Sequence, residues 1–148
     1  MTRRPLRGFA PSRLAAAIEA SGMSADEVAR LADTTPQTLR NWLSSASSPT
    51  VDVLYRVVAQ LGMTMREVLD IDPDRPNLTD LRVLAGLTQR QLAAAAGLGE
   101  ETVGQLERGT ARLRNRHAAA LAAALAVPAP VVVAAHAATR QRDAGAVP

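Results

Sequence analysis

Apolar residues in this chain recur at intervals of three and four, the period of a helix with one buried face, with no alternation of the strand kind. Leu14, Ala17, Ile18 and Ser21 line the first such stripe, and Gly22 stands where a left-handed C-terminal cap belongs. Ser24 with Glu27 has the spacing of a capping box and predicts a second helix with Val28, Ala29, Leu31 and Ala32 inward. Thr35 suits the N-cap and Pro36 the first position of a third helix, with Leu39, Trp42 and Leu43 inward. Thr50 opens a fourth helix whose buried side is Val53, Leu54, Val57, Val58 and Leu61, and Gly62 ends it. Thr64 and Glu67 form another capping box before a short fifth helix carrying Val68 and Leu69.

The same pattern returns 64 residues later: Gly22 matches Gly86, Ser24 matches Thr88, Ala29 matches Ala93, Trp42 matches Leu106 and Leu61 matches Leu125. Thr88 with Gln91 repeats the capping box, and Leu92, Ala93, Ala95 and Ala96 repeat the inner face. A repeat unit of this length can bury its own core. The expectation is therefore an all-α chain of two tandem five-helix domains. They span residues 12–70 and 77–138, with a basic arm over 1–11, a polar linker over 71–76 and a disordered tail over 139–148.

The tight turn between the second and third helices is the specific signal. Two short helices joined this way cross steeply and leave one protruding, and a protruding helix fits the major groove of B-DNA, about 12 Å wide. The strings GLTQRQLAAAAGLGEETVGQLERG and SGMSADEVARLADTTPQTLRNWLSSASSP, found at one offset, resemble the Cro/phage-repressor (XRE) helix-turn-helix family. The resemblance implies repressor-like domains that bind double-stranded DNA. By position it assigns base reading to Pro36, Gln37, Arg40 and Asn41, and phosphate contact to Ser24, Thr35, Ser44, Ser47 and Ser48. Glutamine and asparagine pair with adenine, arginine with guanine. The competing reading of these side chains is a solvated helix face.

The second copy departs from the first. Gln89 keeps the family's glutamine, implied to reach phosphate, but Glu100 and Glu101 stand at the positions of Pro36 and Gln37, and Gly104 and Gln105 at those of Arg40 and Asn41. Two carboxylates oppose a phosphate field, although a helix N-terminus also favours them. Glu100, Glu101, Gly104 and Gln105 are thus a candidate partner surface, with glycine admitting a close backbone. Arg108, Arg112, Arg114 and Arg116 cluster just beyond and are candidate phosphate ligands. Arg3, Arg4 and Arg7 of the arm could track phosphate or a minor groove.

Composition narrows the rest. The chain has 148 residues, no cysteine and a net charge of only +3, with 17 basic residues that are all arginine. Arginine with abundant alanine is the usage of GC-rich codons, as in a high-GC bacterial genome. The lack of cysteine agrees with a cytoplasmic protein, and the DNA binding that the resemblance implies would associate it with the nucleoid. Ala118–Ala135 is uncharged and nearly long enough to span a bilayer, but Pro128 and Pro130 interrupt it and no membrane role is expected. His117 and His136 lack partners at ligand spacing; His117 could lie near phosphate, and His136 is expected at the surface. Ser44, Ser45, Ser47 and Ser48 have no base, so neither enzyme activity nor a cofactor or metal is expected. The leading function is a sequence-specific transcriptional regulator, a repressor, using the third helix of the first domain. The alternative is a protein-interaction module, with the second domain forming a homodimer or binding a protein partner.

Overall fold

The computed structural model describes residues 6–145, with side chains described through Arg142. The chain divides into two compact units, Met1–Ile71 and Asp72–Pro148. Unit 1 contains α1 (Pro11–Ser21), α2 (Ala25–Leu31), α3 (Pro36–Leu43) and α4 (Val51–Gln60). Unit 2 contains α5 (Leu78–Leu84), α6 (Gln89–Ala96), α7 (Glu100–Arg108), α8 (Asn115–Leu125) and α9 (Ala129–Gly145). The described residues form no strand, only an isolated antiparallel bridge between Phe9 and Leu69.

The second and third helices of unit 1 and the first two of unit 2 begin where a side chain satisfies an orphan amide of the first turn. Ser24 Oγ accepts from Glu27 N–H at 3.1 Å, Thr35 Oγ1 from Thr38 N–H at 3.1 Å and Thr88 Oγ1 from Gln91 N–H at 3.1 Å. Asn77 and Asp80 cap α5 reciprocally, at 2.8 and 3.0 Å. Leu14, Val28, Leu39, Trp42, Leu54 and Val57 meet in the core of unit 1. Leu81, Leu92, Val103, Leu106, Leu121 and Val132 do so in unit 2.

The reversal between the second and third helices is built identically in both copies. Thr34 N–H donates to the Ala29 carbonyl at 2.9 Å, and Leu98 N–H to the Ala93 carbonyl at 2.9 Å. This six-residue closure needs a left-handed residue just before its donor. Unit 2 supplies Gly97 at φ 68°, and unit 1 supplies Asp33 at φ 57°. Aspartate tolerates that region better than most residues because its short side chain bonds locally. The Arg56 side chain, from α4, adds donors at 2.9 Å to the Ala32 carbonyl and 3.4 Å to the Asp33 carbonyl. The same exchange occurs at the end of the fourth helix, where Gly62 (φ 66°) is matched by Ala126 (φ 56°).

The units differ most inside. Arg82 and Glu107 form an ion pair buried between α5 and α7, with Nε to Oε2 at 2.7 Å and Nη2 to Oε1 at 3.1 Å. Thr79 Oγ1 and Gln89 Nε2 each donate to Glu107 at 3.1 Å, and Arg82 Nη1 donates to the Leu87 carbonyl at 2.9 Å. The matching residues of unit 1 are Ala15, Ile18, Ala25 and Leu43. One position set thus carries a satisfied polar network in one copy and hydrocarbon in the other.

Several expectations are corrected. The arm over 1–11 is not free where it is described: Ala10 N–H donates to Val68 O at 3.0 Å, Asp70 N–H to Gly8 O at 2.6 Å and Leu6 N–H to Ser48 Oγ at 2.6 Å. The helix expected around Val68 and Leu69 is a single 3-10 turn at Met65–Glu67, which delivers both residues to the core. The tail expected to be disordered from Thr139 continues α9 to Gly145. Thr139 is fully buried, its hydroxyl accepting from Leu78 N–H at 3.2 Å. Leu31, expected inward, is 44% exposed, and Ala95 is exposed at the matching site. His136, expected at the surface, is buried and donates through Nε2 to the Ala111 carbonyl at 2.9 Å. No single described helix is long and apolar enough to cross a membrane, and α8 and α9 are bent by 109° at their break.

Two stability measurements follow. Glu107→Leu alone strands the Arg82 guanidinium and is expected to destabilise unit 2 by about 3–5 kcal/mol in denaturant unfolding. Installing the whole apolar set (Thr79→Ala, Arg82→Ile, Gln89→Ala, Glu107→Leu) is expected to recover most of that loss. Gly8→Ala places a Cβ 2.7 Å from the Asp70 carbonyl oxygen at φ 82°, so it is expected to cost unit 1 about 1–3 kcal/mol and open residues 6–10 to proteolysis.

Candidate nucleic-acid interface

The α3 helix of unit 1 turns Leu39 and Trp42 inward and leaves Gln37 and Arg40 exposed, with Pro36 and Asn41 half-buried beside them. The three polar side chains are one hydrogen-bonded set. Gln37 Nε2 donates to Asn41 Oδ1 at 2.8 Å, and Arg40 Nη2 donates to Gln37 Oε1 at 3.4 Å. Spacings of three and four residues put all three on adjacent turns of one face. These bonds leave each amide with a donor hydrogen and an acceptor lone pair, which is what the adenine edge requires. Arg40 Nη1 also pairs with Asp26 Oδ1 of α2 at 3.2 Å, with side chains 54% and 69% exposed. Asp26 lies 14 residues from Arg40, so no helical spacing announces the pair.

The hydroxyls assigned to phosphate are engaged within the fold to different degrees. Ser24 and Thr35 accept capping bonds, Thr35 also lies 2.7 Å from Thr38 Oγ1, and Ser44 Oγ donates to the Asn41 carbonyl at 3.3 Å. An accepting hydroxyl still has a proton to donate, so capping and phosphate contact are compatible at Ser24. Ser48 is occupied by Leu6 N–H, and Ser47 is exposed. Asp26, Glu27 and Asp33 border the groove between α2 and α3, together with Arg30 and Thr34. Arg7 is exposed beside this unit's first helix, while Arg3 and Arg4 lie outside the described residues.

In unit 2 the same face is built differently. Glu100 and Glu101 are exposed on the first turn of α7, and Gln105 is half-buried. Gly104 is buried, not an open slot for a partner backbone: an added Cβ there would lie 3.0 Å from Arg108 Nη1. Gln89 donates to the buried Glu107 rather than standing clear for phosphate. Arg108, Arg112, Arg114 and Arg116 are all exposed, and Arg90, which the sequence pattern did not single out, is exposed at the position of Asp26. His117 buries its Nδ1 without a hydrogen-bond partner among the described residues, so the phosphate contact considered for it has no support at that nitrogen.

A family model described as helix-turn-helix matches the chain twice, over residues 14–68 and 78–132. No curated protein and no solved structure matches it.

The Asp26–Arg40 pair is exposed and worth at most about 1 kcal/mol, so a phosphate or base can displace the carboxylate. Asp26→Asn removes both the competitor for Arg40 and an exposed negative charge beside it. It is expected to tighten binding of duplex DNA about threefold to tenfold in a fluorescence titration, provided that Arg40 is present; in an Arg40→Ala background the gain is expected to shrink.

Proposed function

The chain belongs to the Cro/phage-repressor-like helix-turn-helix family, and on that premise we propose that it is a sequence-specific transcriptional repressor whose α3 helix enters the major groove. The observation that carries this reading is the joined set of Gln37, Arg40 and Asn41 on the outward face of α3, at the positions where such a helix meets base edges. Gln37 and Asn41 read adenine, Arg40 reads guanine or grips phosphate, and Pro36 packs its ring against thymine methyls or sugar. Ser24, Thr35, Ser44 and Ser47 hold the backbone and set the register.

One chain carries two such helices and can occupy two half-sites about one turn of DNA, roughly 34 Å, apart. Occupying an operator next to a promoter excludes polymerase by volume alone, which is the simplest route to repression. The exposed arginines beyond α7 (Arg112, Arg114 and Arg116) add phosphate neutralisation, and affinity then falls steeply with salt.

Duplexes selected from a random library supply the test. Arg40→Ala and Asn41→Ala are each expected to weaken binding of the selected duplex by about 1–3 kcal/mol, with binding to random DNA much less affected. Wild-type affinity in both variants overturns α3 as the reader. Binding with no salt dependence overturns the DNA reading altogether and favours a protein partner or a second copy as the ligand.

A further inference from the structure

We infer that unit 2 is a second reader of duplex DNA, in which Arg108, folded back over Gly104, presents the guanidinium that Arg40 presents in unit 1. The inference rests on the DNA-binding reading above and extends it to a half-site of different composition.

The sequence change alone looks like a loss. Arg40 is replaced by Gly104, and Ser44 by Arg108. On a helix, however, positions four apart share a face, and a long side chain leans toward the N-terminus over the preceding turn. Arg108 does this: its Nη1 lies 3.0 Å, and its Cζ 3.8 Å, from where a Cβ on Gly104 would stand. The guanidinium therefore rests where the side chain of Arg40 begins in the other copy. Any larger residue at 104 would share that space, which explains a glycine in the middle of α7 despite its poor helix propensity.

The counter-charge has been removed as well. Arg40 is held by Asp26, and the residue matching Asp26 is Arg90. Among the described residues the ion pairs are Arg40–Asp26 and Arg82–Glu107, and Arg108 belongs to neither. It is exposed, and the position that holds Asp26 in unit 1 holds a second arginine here instead of a carboxylate. Its donors are open to an external acceptor. Beside it, Gln105 matches Asn41, and Glu101 matches Gln37 with a carboxylate in place of an amide. Arginine takes the O6 and N7 of guanine, and a carboxylate accepts from the N4 of cytosine. Where α3 reads with two amides and an arginine, α7 reads with a carboxylate, an amide and an arginine. The ligand of unit 2 is accordingly a half-site richer in G·C than that of unit 1, and the operator is asymmetric.

The full chain, selected against random duplexes, tests this. Wild type is expected to enrich two blocks of sequence, one of them G·C-rich. Arg108→Ala is expected to weaken the selected duplex about tenfold to a hundredfold, the range of one bidentate guanine contact, and to erase one guanine preference in that block only. Gly104→Gln fills the slot with a better helix former, so it is expected to erase the same preference with no fall in melting temperature. Arg108→Lys keeps a point charge without the fork, so it is expected to keep the salt slope and lose the base preference. Enrichment of a single block by wild type, or unchanged blocks in Arg108→Ala and Gly104→Gln, overturns the inference. Arg40→Ala separates the two claims: if it alters the first block while the Arg108 variants alter nothing, unit 1 is a reader and unit 2 is not.

Discussion

The sharp reversal ahead of the third helix is the constraint on which both units depend. It is closed by one backbone bond, Thr34 to Ala29 in one copy and Leu98 to Ala93 in the other, each at 2.9 Å. Closing it forces the residue between into the left-handed region, whatever its side chain. Glycine occupies that region freely; aspartate does so at a cost of about 1–2 kcal/mol, offset here by the turn's bonds and by Arg56. If the turn relaxed, α3 would lose its cap at Thr35 and its crossing angle. The outward face carrying Gln37, Arg40 and Asn41 would then point elsewhere.

Around that fixed turn the two copies have distributed their charges in opposite ways. Unit 2 uses Arg82, Glu107, Thr79 and Gln89 internally, where unit 1 has hydrocarbon. Unit 1 keeps a carboxylate, Asp26, against Arg40, where unit 2 has Arg90. A buried ion pair contributes little net stability over well-packed apolar residues, so the interior exchange is nearly free in energy once all members change together. The exterior exchange is different, because it decides what each face can bind. Repetition of one scaffold with different charges at matching positions gives two chemically distinct faces from one folding solution.

Much of this was legible in the chain. The 64-residue offset, the caps at Ser24, Thr35 and Thr88 and the break at Gly22 all depend on local chemistry, and local chemistry is written in adjacent residues. What escaped depends on distance or on unusual residue choice. Asp33 and Ala126 take left-handed conformations that only glycine announces. Arg82 and Glu107 are 25 residues apart, and Asp26 and Arg40 are 14 apart. The last helix runs past its expected end because its buried stripe, Val132, Ala135, His136 and Thr139, is correctly spaced but half polar. Residues 6–10 read as part of a basic arm because the single bridge between Phe9 and Leu69 leaves no periodic trace. Within the candidate interface, the face of α3 was readable by position, whereas the fold-back of Arg108 over Gly104 required coordinates.

Side-chain amide resonances of the isotope-labelled full chain, followed as a selected duplex is added, report most directly on the central claim. Gln37 and Asn41 are predicted to shift and to saturate at one equivalent, with their amide protons slowed in exchange, while Gln60 at the end of α4 stays in place. Saturable binding of the duplex with Gln37 and Asn41 undisturbed would contradict the account.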